Sequence, residues 1–129
     1  MTKATVLDIE QLRRGGTLVF DGLDHGGVDT SFFLVRARPG SGPALHRHPY
    51  DEIWILDQGQ VTFRAGDRTL AAGPGSIVIV PAGTAHSFRN TGSTPLHMTC
   101  IHPRPAMETE WLESRGGPDD RPEPGAPGR

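Results

Sequence analysis

Two histidines and a glutamate lie close together in PALHRHPYDE, residues 43–52. In an extended segment, side chains at i and i+2 share a face, so His46 and His48 point the same way. Glu52 has the same parity and follows a Pro-Tyr turn. Two imidazoles and a carboxylate with open positions are associated with non-haem Fe(II) oxygen chemistry, and they also suit Mn, Ni, Cu or Zn. The spacing indicates a metal site, and solvated loop histidines are the alternative interpretation.

A third histidine follows in GSIVIVPAGTAHSFRN, residues 75–90. There a β-branched run ends in a Pro-Gly turn, and His86 begins the returning strand. Together the two stretches resemble the cupin superfamily. Its first motif, G-x5-H-x-H-x3-E-x6-G, is matched by Gly40, His46, His48, Glu52 and Gly59, and its second, G-x5-P-x-G-x2-H-x3-N, by Gly75, Pro81, Gly83, His86 and Asn90.

The resemblance covers residues 30–102, and every defined motif position agrees. It implies a small β-barrel, usually a homodimer, with one divalent transition metal per chain. The metal, which would be Fe, Mn, Ni, Cu or Zn, would be held by His46, His48, Glu52 and His86. The glycines and the proline of the motifs are explained as turn residues of the scaffold.

Two aromatic residues have the parity to line a pocket at the ion. Trp54 shares a strand face with Glu52, and Phe88 shares one with His86. We therefore take Trp54 and Phe88 as candidate substrate-pocket residues. Aromatic side chains also fill the interior of small barrels without any further role, and this interpretation stays open.

Tyr50 and His102 are the candidate catalytic residues. Tyr50 follows the histidine pair and could serve as a hydrogen-bond donor or a proton relay; a surface tyrosine is the alternative. His102 ends the last clear strand on the same parity as Cys100, which suits a role behind the ligands or as an acid or base in the pocket.

Short runs rich in Val, Ile, Phe and Thr alternate with Gly, Pro, Asp and Asn clusters between residues 17 and 102. The pattern predicts an all-β fold, an antiparallel sandwich or barrel. The cupin resemblance narrows this to a small antiparallel double-stranded β-helix, or jelly roll. We expect an N-terminal arm at 1–16, the barrel domain at 17–115 and a disordered tail at 116–129.

The flanking segments carry weaker patterns. Residues 5–14 predict a short helix capped by Asp8 and ended by Gly15–Gly16. Residues 105–114, PAMETEWLES, predict a helical turn that lays Met107, Trp111 and Leu112 on the body. The tail contains mostly Gly, Pro and charged residues and has little to bury.

Composition excludes several classes of partner. The chain of 129 residues has a formal charge of −2, so no basic field favours nucleic acid or an acidic membrane surface. Cys100 is the only cysteine and lies in an apolar run, which predicts a buried inert thiol and a reducing compartment. No apolar stretch has the length of a signal peptide or a membrane span, so we expect a soluble cytoplasmic protein.

These observations favour an enzyme that acts on a small chelating organic substrate. A dioxygenase-type oxidoreductase is the leading hypothesis, and a redox-neutral isomerase, cyclase or lyase is the alternative. Both chemistries need only open positions on a bound metal. A non-catalytic protein that binds a metal and a small ligand is the third hypothesis. We also expect a homodimer, since an exposed strand flank favours association.

Overall fold

The computed structural model describes residues 3–113, which form two antiparallel sheets and two short 3₁₀ turns. The predicted all-β class is confirmed, and the predicted tail at 116–129 lies outside the described residues. The strands are β1 (Arg13–Arg14), β2 (Thr17–Phe20), β3 (Ser31–Ala37), β4 (His46–Arg47), β5 (Glu52–Gln58), β6 (Val61–Ala65), β7 (Arg68–Ala72), β8 (Ile77–Val80), β9 (His86–Asn90), β10 (Leu96–His102) and β11 (Glu110–Trp111).

The strands divide into two sheets that enclose one core. Sheet A has the order β1-β2-β3-β10-β5-β8, and sheet B has the order β11-β4-β9-β6-β7. In the long strands of sheet A, buried positions alternate with more exposed ones, as expected where one face is covered. The inward side chains include Val35, Trp54, Leu56 and Met98, all at most 1% exposed. Full burial of each contributes about 1.5–3 kcal/mol to stability, so the barrel has its own core.

Cys100 is buried in this core as predicted. Burial raises the pKa of its thiol well above the usual value, and the charge of Glu52 acts in the same direction. The thiol therefore stays protonated, which is the state of an inert cysteine.

Two glycines show why the turns of the motifs need that residue. Gly59 has φ +92°, and a Cβ built there would lie 2.8 Å from the carbonyl oxygen of Pro95. Gly83 has φ +76°, and its N–H donates to the carbonyl oxygen of His48 over 2.8 Å. The second contact ties the turn of the second motif to the histidine pair of the first.

The helix predicted over residues 5–14 is wrong in type and length. Only a 3₁₀ turn forms, at Ile9–Leu12, with Asp8 as its N-cap. Arg13–Arg14 then pairs with β2. Gly15 and Gly16 therefore link two strands instead of ending a helix, because pairing with sheet A takes up the backbone that a helix would use.

The helical turn predicted over residues 105–114 does not form in the described part of that segment, residues 105–113. Instead, β11 pairs with β4, where Trp111 is the Cα partner of His46. Met107 packs against the core as predicted, whereas Leu112 is 38% exposed. Cross-strand pairing with a free sheet edge prevailed over the local helical pattern.

The outer side of sheet A carries an apolar surface that we call the outer isoleucine face: Ile53, Ile55, Ile77 and Ile79. They form two cross-strand pairs between β5 and β8 and are 38–68% exposed. β8 is also the edge strand of its sheet. No helix among residues 3–113 is long and apolar enough to cross a bilayer.

Candidate metal centre

His46 and His86 lie side by side on neighbouring strands of sheet B. β4 and β9 pair with these two residues as Cα partners, and their ring centroids are 4.2 Å apart. Both side chains point into the barrel and are buried, at 2% and 1% exposed. The hydrogen-bond register of the sheet therefore sets the separation of two imidazoles that are 40 residues apart in sequence.

His48 and Glu52 reach the same point from the turn between β4 and β5. The Nε2 atom of His48 lies 3.3 Å from Oε1 of Glu52, and the Nε2 atom of His86 lies 3.1 Å from the same oxygen. Ring nitrogens of the three histidines His46, His48 and His86 lie within 4.8 Å of one another. The structure thus brings together all four side chains that the motifs indicated.

The three imidazoles present bare lone pairs to this point. Each has Nδ1 at 2.7–2.8 Å from a backbone carbonyl oxygen, those of Ala44, Glu108 and Thr84 respectively. A carbonyl oxygen only accepts hydrogen bonds, so Nδ1 carries the hydrogen, and in a neutral ring Nε2 is then unprotonated. The lone pairs therefore face each other and a carboxylate oxygen.

Two polar atoms at the centre of this arrangement are unsatisfied. Nε2 of His86 and Oε1 of Glu52 are buried and have no hydrogen-bond partner among residues 3–113. Buried polar atoms without partners cost free energy, and backbone carbonyls that fix the Nδ1 hydrogen are typical of histidines that bind metals. Three imidazole nitrogens and one carboxylate oxygen fit a single divalent transition metal.

The protonation states also suit cation binding. Burial alone would raise the pKa of Glu52, but the contacts of its carboxylate with His102, His48 and His86 hold it well below the usual value. Burial lowers the pKa of His46 to about 3, and the neighbouring His86 adds to this effect. A charged carboxylate and a neutral imidazole are the forms that bind metals.

A fifth residue, His102, contacts the carboxylate from sheet A. Ile101 pairs with Ile53, so the next residue of β10 lies beside Glu52. Nε2 of His102 is 3.2 Å from Oε2 of Glu52, without the alignment of a full hydrogen bond. Its Nδ1 is 2.5 Å from the hydroxyl of Tyr50. The two candidate catalytic residues are therefore in contact, although no contact tests their catalytic role.

Tyr50 is buried, at 6% exposed, which excludes the surface alternative. Its hydroxyl oxygen accepts a hydrogen bond from the Glu108 N–H over 3.2 Å. Burial raises the pKa of Tyr50 to about 12, although the Glu108 N–H acts in the opposite direction. The phenol therefore keeps its proton at neutral pH.

Residues 103–113, which we call the strap, run from the end of β10 in sheet A to β11 in sheet B and contact His48 and Tyr50. The strap is fixed to sheet A by a hydrogen bond from the Ser31 hydroxyl to the Arg104 carbonyl and to sheet B by β11. An exposed ion pair between Arg47 and Glu110, with N–O distances of 2.9 and 3.1 Å, adds little to stability. The strap contributes the backbone N–H and carbonyl groups of Glu108 to the site.

A cavity of about 350 Å³ opens beside the strap. Its lining includes His48, Gly83, Glu108 and Thr109, and His48 is the one candidate ligand that it reaches. A small molecule could approach the candidate metal position from this side.

The two predicted pocket residues lie deeper. Trp54 and Phe88 are 0% and 2% exposed, and their rings meet edge to face at 5.2 Å. The Trp54 ring is also 6.0 Å from that of His86. Both belong to the core cluster, and contact with a substrate stays a prediction.

Sequence reasoning missed the strap. Glu108 acts through its backbone, which leaves no side-chain signature, and Trp111, whose ring is 4.9 Å from that of His46, was assigned only to packing. The one available signal was a tryptophan between polar residues at the end of the barrel segment.

Fold and site together define a class: an all-β jelly roll whose interior carries three histidines and a glutamate. The family model of the cupin domain matches residues 33–102, more than half of the chain. The chain belongs to the cupin family.

Solved structures agree with this fold. A Klebsiella pneumoniae protein with a double-stranded β-helix domain superposes with a TM-score of 0.69 at 19% identity, covering 87% of this chain and 94% of that one. The Mn(II)-containing oxalate decarboxylase of Bacillus subtilis superposes with a TM-score of 0.69 at 22% identity, covering 74% of this chain and 27% of that one. The predicted double-stranded β-helix is thus confirmed.

Among curated proteins, auxin-binding protein 1 of Arabidopsis thaliana is 28% identical over 94 residues. The alignment covers 65% of this chain and 47% of that protein, so the chain spans about half the length of this relative.

Proposed function

We propose that this cupin is a mononuclear metal-dependent enzyme that acts on a small chelating organic substrate, with dioxygenase-type oxidation as the leading reaction. The observation that carries the proposal is the convergence of ring nitrogens of His46, His48 and His86 beside a buried carboxylate oxygen of Glu52 that has no hydrogen-bond partner among residues 3–113. When bound there, a divalent transition metal supplies Lewis acidity and, if redox-active, a binding position for dioxygen.

The chain's own residues hold and shield the site. Four protein donors leave one position on a five-coordinate ion and two on a six-coordinate ion. Two positions are enough for two oxygen donors of a chelating substrate or for one such donor and dioxygen. The ligand side chains are at most 4% exposed, so bulk water is largely excluded. In this proposal the cavity beside His48 admits the substrate, and Tyr50 and His102 are the candidate proton donors or acceptors.

Elemental analysis of protein purified without a metal-scavenging tag tests the metal part. We expect close to one transition metal per chain. A titration with catechol and 2-oxo acids as chelating probes then follows the absorption spectrum under argon and under air. Dioxygenase chemistry predicts binding under argon and oxygen consumption only under air, whereas turnover without oxygen would contradict it.

Redox-neutral isomerase, cyclase or lyase chemistry is the second candidate. It is supported by the fold likeness to the Mn(II)-containing oxalate decarboxylase of Bacillus subtilis. Product formed at equal rates under argon and air would favour this candidate. A Lewis acid and a nearby base suffice for such a reaction.

A non-catalytic ligand-binding protein is the third candidate. Its support is the similarity to a protein named for binding auxin. This candidate predicts stoichiometric binding of a chelating ligand and its release unchanged, with metal and oxygen both present. Measured turnover of any such ligand would exclude it.

A further inference from the structure

We propose that one strap residue, Glu108, fixes opposite tautomers at two histidines, so that His48 is a metal ligand and His102 is a hydrogen-bond donor instead of a fifth ligand. The inference rests on the proposed metal site and adds a division of roles within it. Distance alone does not decide these roles, because nitrogen atoms of His48 and His102 and an oxygen of Glu52 also lie within 4.8 Å of one another.

The carbonyl group of Glu108 sets the tautomer of His48. It lies 2.8 Å from Nδ1, which must therefore carry the hydrogen. In the neutral ring, the lone pair of Nε2 is then directed to Oε1 of Glu52 at 3.3 Å, where a bound cation would make the contact favourable. His48 is thus prepared as a ligand before a metal arrives.

The N–H group of Glu108 sets the tautomer of His102 through Tyr50. Because the phenol oxygen accepts from this N–H, its own hydrogen is free to be donated, and Nδ1 of His102 lies 2.5 Å away as the acceptor. Nδ1 then carries no hydrogen, and Nε2 of the neutral ring does.

The alternative states of His102 are less favourable. A hydrogen on Nδ1 would leave the buried phenol hydrogen without this acceptor. In the neutral ring it would also direct the lone pair of Nε2 at the carboxylate of Glu52, 3.2 Å away. Both changes cost free energy in a buried site. The contacts on either side of the ring therefore select the same tautomer.

The consequence is a site with a ligand set of four and a donor beside it. The Nε2 hydrogen of His102 is buried and lacks a well-aligned acceptor among residues 3–113, so it is available to Glu52 or to an oxygen atom of a bound ligand. Tyr50 acts through His102 and is a positioning residue. The strap sets both tautomers, since the carbonyl group of Glu108 contacts His48 and the N–H group of Glu108 contacts Tyr50.

Nitrogen NMR of the full chain labelled with ¹⁵N-histidine tests the proposal directly. Long-range ¹H–¹⁵N spectra distinguish the two tautomers of a ring, and single substitutions assign the six histidines. In metal-free protein at neutral pH we expect hydrogen on Nδ1 of His48 and on Nε2 of His102. With Zn²⁺ as a diamagnetic probe, the Nε2 signals of His46, His48 and His86 should move, and His102 should keep its Nε2 hydrogen.

Tyr50→Phe retains the ring and removes the hydroxyl. We expect His102 to lose its single tautomer in this variant and to respond to Zn²⁺ as an additional ligand. Thr62→Val is the control, because it removes a hydroxyl whose partner is Thr91; its histidine spectrum should match that of the parent protein.

The outcomes separate this inference from the proposed function. The proposed tautomer of His102 is refuted by a Zn²⁺-induced shift of its Nε2 signal in the parent protein. It is also refuted by an Nδ1 hydrogen on His102 without metal. An unchanged His102 tautomer in Tyr50→Phe refutes the role of Tyr50 in setting it. If no histidine responds to Zn²⁺, the metal function fails, but the metal-free spectrum still decides the tautomers.

Discussion

Replacing His48 with alanine tests whether the candidate ligands act as one metal centre. Loss of a group that merely orients a ligand costs 10–100-fold in metal affinity, so loss of the ligand itself should cost at least about 100-fold. At a free metal concentration 100 times the dissociation constant, binding stabilises the parent protein by about 2.7 kcal/mol. The same concentration stabilises a variant with 100-fold weaker binding by only about 0.4 kcal/mol.

These free energies correspond to a measurable difference in melting temperature. In a domain of this size 1 kcal/mol shifts Tm by about 4 °C, so metal should raise Tm by about 10 °C in the parent protein and by about 2 °C in His48→Ala. The metal-free variant should remain folded, because the core cluster contains none of the four candidate ligands. Thermal melts with and without metal, together with elemental analysis, measure both quantities.

His97→Ala is the matched control. His97 is a partly exposed histidine on β10, and Arg36 and Asp57 are charged residues near it. It should retain the parent's metal content and Tm shift. If His48→Ala also retains both, the ligand assignment is wrong and the convergence of the imidazoles has another cause.

Three further predictions concern acid stability, association and the scaffold. Because burial lowers the pKa of His46 to about 3 from 6.5, the unfolded chain binds a proton at a higher pH than the folded one. The free energy of unfolding of the metal-free protein, measured in urea titrations, should thus fall by roughly 2–3 kcal/mol as the pH is lowered from 7 to 4.5. A free energy of unfolding that stays constant or rises would contradict this. We infer that the expected homodimer uses the outer isoleucine face. Ile79→Lys should therefore yield a monomer by light scattering, whereas the control Thr69→Lys on β7 should remain a dimer. A monomeric parent protein at micromolar concentration would refute the dimer. Gly59→Ala should lower the free energy of unfolding by about 1–3 kcal/mol, which is more than the effect of Gly66→Ala. Both glycines have positive φ, but only a Cβ at Gly59 meets a nearby carbonyl oxygen. Equal urea midpoints for the two variants would contradict this.

The sequence predicted the barrel strands well because each has a run of β-branched and aromatic residues bounded by Gly or Pro. Alternation within the runs also predicted inward positions such as those of Trp54 and Phe88, whose burial the structure confirms. The cupin motifs indicated the four converging side chains, since spacing and parity survive in the register of paired strands.

The terminal segments could not be predicted in the same way. Residues 9–14 and 105–113 have few buried side chains, so their backbone conformation depends on which sheet edge they meet, and this is a long-range property. The contacts of Glu108 were hidden for a related reason. A backbone carbonyl and an N–H are present in nearly every residue, and only the folded chain shows which ones orient a histidine.

Anomalous X-ray diffraction from crystals of the metal-loaded protein tests the central claim most directly. Data collected on both sides of the absorption edge of the bound metal locate it without reference to the protein chain. The account predicts one peak per chain within bonding distance of Nε2 of His46, His48 and His86 and of Oε1 of Glu52. A peak elsewhere, or a fully loaded crystal without a peak between these four side chains, would contradict it.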